Sequence, residues 1–107
     1  MKLDFNFPVT DLDGIVIIDN WGRNIIAGNT LANALVMQPH GDIAKIMNWA
    51  LSIRRGEVID LDKIDQKELK ELIQQSSLAI LIKKHLLDVF EKTKVNVNGI
   101  KETIEEY

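Results

Sequence analysis

The sequence predicts an α+β fold: an N-terminal β-hairpin or small antiparallel sheet packed on three to four α-helices. Three observations carry that prediction. In "KLDFNF" the apolar residues Leu3, Phe5 and Phe7 alternate with polar ones, the period of a strand with one buried face. After the turn residues "TDLDG" comes a β-branched run, "IVIID", from Ile15 to Asp19. From Thr30 the apolar spacing turns helical and stays so through most of the remaining chain.

The first strand ends at Pro8, and a hairpin with the Ile15–Asp19 run is the natural pairing. Two strands alone are marginal in water, so a third is expected from Trp21–Ile26 or from Val58–Leu61, or else a helical layer over the apolar face. The first helix gathers Leu31, Ala34 and Leu35 on one side and is stopped by "PHG" at 39–41. Asp42 is the N-cap candidate of a second helix, with the stripe Ile43, Ile46, Met47, Ala50 and Leu51. Arg54, Arg55 and Gly56 close it, since cations suit the carbonyl end of a helix and glycine accepts the left-handed conformation.

The segment "RRGEVIDLDKIDQKELKELI", residues 54–73, is rich in carboxylates and comes near a calcium-binding loop. Counting from Asp60, positions 1, 3 and 12 are acidic, but position 5 is Ile64 and position 6, where glycine makes the turn, is Asp65. A helix start explains more of these residues. With Asp65 as N-cap, Glu68 falls at N3 and Ile64 can staple onto Leu69. This third helix, Gln66 to about Gln75, buries Leu69, Leu72 and Ile73. A fourth, capped by Ser76 or Ser77 and running to Glu91, carries the longest apolar stripe: Leu78, Leu81, Ile82, His85, Leu86, Val89 and Phe90. Residues 1–94 then form one compact domain. Residues 95–107 are expected as a loop and a short amphipathic segment, with Ile100, Ile104 and Tyr107 at helical spacing. No internal repeat is apparent.

Composition narrows function mostly by exclusion. The chain has 107 residues, 46% hydrophobic and 27% charged, with a net charge of −3, which describes an ordinary soluble surface and disfavours nucleic-acid binding. It has no cysteine, so disulfides, thiolate catalysis and cysteine-ligated metals are excluded. The N-terminus lacks the apolar run of a signal peptide and no segment reaches membrane-spanning length, so a soluble, unprocessed, cytoplasmic chain is expected.

No catalytic constellation stands out, and no cofactor or metal is expected. His85 has Asp88 three residues on but no nucleophile beside it in sequence, so a structural histidine is the simpler reading. His40 falls in a loop. Asp11 and Asp13, just before Gly14, are turn formers rather than cation ligands, because hard cations want six or more oxygens. "GRNIIAG" and "RRGE" match neither the P-loop nor the dinucleotide-binding pattern. Core packing is the ordinary fate of Trp21 and Trp49 alike, though Trp21, at the hairpin edge, is better placed for exposure and partner contact. Between Glu57 and Gln75 six acids face three lysines, and Asp62, Glu68 and Glu71 form the candidate surface for a partner with a basic face.

"LDG" at 12–14, "LANAL" at 31–35, "GDIAKIMNWALSIRRGEVIDLDKID" at 41–65 and "LAILIKKHLLDVF" together resemble short phage and prophage proteins over about residues 3–92. The resemblance implies a non-enzymatic protein acting in the cytoplasm of a bacterial host. It would bind and inhibit or regulate a host protein, including a defence effector in the manner of anti-CRISPR factors, or alternatively serve as a phage structural or assembly accessory.

Overall fold

A computed structural model describes the backbone of residues 1–98 and the side chains of residues 1–92. Strand β1 (Lys2–Leu3) leads into an extended, turn-rich segment, followed by helix α1 (Ala27–Val36), helix α2 (Ile43–Arg54), strand β2 (Ile59–Asp60), helix α3 (Lys63–Gln75) and helix α4 (Ile80–Asn98). The fold is α+β, with a small antiparallel sheet on four helices. Its strand pairing differs from the expected one. β1 pairs with β2, placing Lys2 opposite Asp60 and Leu3 opposite Ile59, while the Ile15–Asp19 run pairs elsewhere. The turn at Asp11–Gly14 sets Thr10 opposite Val16, and Pro8 bridges Ile26. Residues 2–3 therefore take their partner from the Val58–Leu61 segment.

Helix α1 begins three residues before Thr30, because its first amides are capped by distant backbone rather than by a side chain. Ala27 N–H donates to the Phe7 carbonyl and Gly28 N–H to the Phe5 carbonyl, each at 2.8 Å. No cap motif marks that start in the sequence, where Ile26 stands at the N-cap. Gly28 also sets how closely the layers pack. A Cβ there would lie 3.0 Å from the Phe5 carbonyl oxygen and 3.1 Å from Ile53 Cγ2.

Helix α2 starts and stops where the sequence placed it. The Asp42 side chain accepts from Lys45 N–H at 3.1 Å. At the other end Gly56 (φ +78°) closes the helix, with Gly56 N–H donating to Ile53 O and Glu57 N–H to Ser52 O. Its buried face is rotated from the expected stripe. Ile46, Trp49, Ala50 and Ile53 are buried, whereas Ile43, Met47 and Leu51 are exposed. The two stripes share Ile46 and Ala50; the larger pair Trp49 and Ile53 decides between them, since α2 packs mainly on α1 and Gly28 admits Ile53 there.

Helix α3 starts one turn earlier than expected. Asp62, not Asp65, is its N-cap, accepting from Asp65 N–H at 2.8 Å. Ile64 is 76% exposed and staples nothing. Ser76 ends α3, donating to Ile73 O at 2.7 Å and accepting from Leu78 N–H, so it is spent on the connection and α4 starts only at Ile80. Helix α4 continues past Lys94 to Asn98; the segment with Ile100, Ile104 and Tyr107 lies outside the described residues. The core joins Leu3, Phe5 and Val9 to Leu31, Leu35, Leu69, Ile73, Leu86 and Phe90, with Phe5 edge-on to Phe90 at 6.1 Å. Leu81, Ile82 and Leu87 on α4 are only half-buried. Among the described residues, no helix is long and apolar enough to cross a membrane.

Candidate partner-binding surface

Between β1 and α1 the chain makes two arms that repeat one another. "VTDLDGIV" (9–16) and "IIDNWGRN" (17–24) are eight-residue units, each with aspartate at its third position and glycine at its sixth. The structure shows the equivalence that the sequence reading missed. In the first unit Asp11 Oδ1 accepts from Asp13 N–H at 2.9 Å and Ile15 N–H at 3.0 Å; in the second, Asp19 Oδ1 accepts from Trp21 N–H at 2.8 Å and Arg23 N–H at 3.0 Å. Both glycines have positive φ, +83° at Gly14 and +79° at Gly22, and each donates its N–H back to the aspartate carbonyl. The only sequence signal was D-x-x-G recurring eight residues apart.

The arms meet at their bases in a closed ring of backbone hydrogen bonds. Val9 N–H donates to Ile25 O, Ile25 N–H to Ile17 O, and Ile17 N–H to Val9 O, at 2.8, 3.0 and 2.9 Å. Val9 is fully buried, and Ile17 and Ile25 pack against the core. A further tie comes from α4, where His85 Nε2 lies 2.8 Å from the Thr10 carbonyl. A carbonyl only accepts, so Nε2 carries the hydrogen. His85 thus anchors the first arm, while Asp88 pairs with Lys84 at 2.7 Å instead of orienting the imidazole.

The tips of these arms point large apolar side chains into water. Leu12 is 93% and Trp21 77% exposed, and Ile15, Val16 and Ile18 are exposed around them. Trp49 is buried in the core, so the two tryptophans have opposite fates. Trp21 carries the Arg23 guanidinium 5.5 Å from its ring centroid, and Arg23 Nε donates to Asp19 Oδ2 at 3.3 Å. The Asp19 carboxyl is held below its ordinary value, first by the Arg23 backbone N–H and then by Trp21 N–H and the Arg23 charge, against a cost of desolvation. The second tip is therefore a stack of tryptophan, arginine and carboxylate fixed by its own backbone.

The acidic segment presents less free charge than its composition suggests. Lys45 Nζ, from α2, bridges Asp65 at 3.0 Å and Glu68 at 3.1 Å, and its own pKa is pushed up to about 12 by those two carboxylates. Asp60 accepts from the Met1 amine at 3.2 Å. Of the three acids expected to meet a partner, Asp62 caps α3, Glu68 is tied to Lys45, and Glu71 is exposed on α3. They lie along one helix, separate in sequence from Trp21. Among the described residues no cluster of three or more histidine or acidic side chains is arranged to hold a metal ion.

Comparison with protein-family models, with curated proteins and with solved structures gave no match.

Proposed function

We propose that the protein works by binding another protein, without catalysis of its own, and that the tips of the two arms are its contact surface. The observation that carries this reading is the display of Leu12 and Trp21 on turns locked by aspartate and glycine. Folding gains nothing from holding these side chains in water, and a rigid aromatic beside an arginine is the composition of an interface hot spot. Preorganised loops also lose little entropy on association. The resemblance to short phage and prophage proteins supports a host protein as the target, inhibited or regulated by the contact, with defence effectors such as CRISPR nucleases among the candidates. Steering by Asp62 and Glu71 toward a basic partner is a secondary contribution, because Lys45 and the segment's own lysines offset most of the acidic charge.

The test is affinity capture from bacterial lysate, with and without phage infection, comparing the wild type with the double variant Leu12→Ala/Trp21→Ala. The captured host protein should bind the double variant about 30-fold more weakly or worse, the loss expected for truncating a hot spot, while circular dichroism and melting stay unchanged. Equal capture by both would remove the tips from the interface. Capture of virion proteins alone would favour an assembly role.

A further inference from the structure

We propose that His85 is a positioning residue for the contact surface: its hydrogen bond to the Thr10 carbonyl holds the first arm against α4 and so sets the spacing between the Leu12 and Trp21 tips. The proposal rests on the reading of those tips as the contact surface and names a side chain outside them on which their geometry depends. The two arms are alike internally but join the body differently. The second arm runs through Ile25 and Ile26 directly into α1, whose first amides are fixed by the Phe5 and Phe7 carbonyls. The first arm returns at Val16 to the start of the second, so its exit leads into another arm and not into a helix. Its tip is not held by burial either, because Leu12 and Ile15 are exposed.

Among the described residues, the 2.8 Å bond from His85 Nε2 to Thr10 O is the one hydrogen bond that joins the helices to the arms. Ile18, which stands in the second unit where Thr10 stands in the first, has no counterpart to it. Thr10 is also where one bond has most leverage. It pairs with Val16 across the arm, so fixing it fixes both legs at once, and Leu12 lies two residues beyond. The imidazole is presented by a firm part of α4, since Leu86 is fully buried and Val89 and Phe90 are buried one turn on. Asp88 is taken up by Lys84, which leaves the ring to Thr10. Without the bond the core is untouched, but the arm can rock as a unit about its two ends. A partner that grips both tips then finds them correctly spaced for only part of the time, and its affinity falls by that fraction.

The chain has no cysteine, so nitroxide labels on Asp13→Cys and Asn20→Cys report the tip spacing by double electron–electron resonance. With His85 in place the distance distribution should be single and narrow. His85→Leu, or His85→Ala if that variant does not fold, removes the donor and should broaden or shift it. His85→Gln, whose amide nitrogen reaches about where Nε2 stands, should restore it. In unlabelled protein, the host protein captured through the tips should bind His85→Leu about tenfold more weakly, as for an arm correctly placed a tenth of the time, and His85→Gln within about threefold of the wild type. A merely structural histidine would instead lower the melting midpoint and leave the spacing alone. An unchanged distribution in His85→Leu would overturn the proposal while the contact reading stands. A broadened distribution with undiminished binding would overturn it too, since spacing would then not matter to the partner. Equal capture of Leu12→Ala/Trp21→Ala and the wild type would instead sink the contact reading, and the role of His85 in binding with it.

Discussion

The arms, residues 9–24, and the helical body, residues 27–92, hold themselves together by opposite means. In the body, order follows burial: Leu31, Leu35, Leu69, Ile73, Leu86 and Phe90 are almost wholly enclosed, and polar groups sit outside. In the arms the large side chains of the tips are outside, and order comes from aspartate carboxylates accepting backbone N–H groups, from two positive-φ glycines and from the ring joining Val9, Ile17 and Ile25. A segment stabilised by its backbone need not spend its apolar side chains on folding. Those side chains are then free to act on something else, which is why the arms and not the helices are the better place to look for function.

The contrast is most easily broken from the body. Leu86→Ala, at a fully enclosed site on α4, should cost about 2–5 kcal/mol and shift the denaturation midpoint strongly, whereas Leu81→Ala, half-buried on the same helix, should cost less. Equal midpoints for the two would mean that the core face of α4 is misassigned. Gly28→Ala attacks the seam between the regions. Alanine suits a helix by about 1 kcal/mol, but its methyl would press on the Phe5 carbonyl, which already accepts from Phe7 and Gly28 N–H, so a net loss of about 1 kcal/mol is expected in thermal unfolding. At the start of α3, Asp62→Ala should cost about 1 kcal/mol as a lost N-cap. Asp65→Ala at pH 7 should instead show its effect through salt, its partner being Lys45; if the two variants respond alike to added salt, the cap assignment fails.

The smallest effects belong to the tips. Leu12→Ala and Trp21→Ala should each leave stability within about 0.5 kcal/mol of the wild type in chemical denaturation. For Asp19, whose carboxyl is held low mainly by the backbone N–H of residue 23, Arg23→Ala should leave most of the depression in place when the carboxyl is titrated by NMR. A carboxyl held low in the folded state stabilises that state above its unfolded value of 3.8 and loses the contribution as pH falls through the lower folded value. The second arm should therefore loosen only in strong acid. Loss of tip order already at pH 5, seen in the Trp21 amide, would break the account.

What the sequence made legible, and what it hid, divides along the range of the interactions. The Asp42 cap and the Arg54–Gly56 stop of α2 are local chemistry, readable within a few residues, and so is the turn role of Asp11. The start of α1 was not readable, because the groups that cap it are the carbonyls of Phe5 and Phe7, some twenty residues away. The start of α3 misleads in sequence: the Asp65–Glu68 spacing fits a capping box, but Asp62 is the cap and a lysine on another helix claims Asp65. On α2 the apolar residues cover more of the circumference than one neighbour can bury, so periodicity alone left the inward face open. Trp21 was identified as a contact residue, but Leu12, Ile15 and Ile18 were not, since the repeat that pairs the two tips rests on two residues in eight.

The ring at the base of the arms bears on how such a protein could change over generations. Each arm leaves the ring and returns to it at an equivalent point, and its turn is set by the aspartate side chain and the glycine. Positions 12–13 and 20–21 are not read by that framework. Mutation there can recode the molecule's outer face while the scaffold stays the same, so a lineage under pressure from a changing target could keep its architecture and rewrite its address.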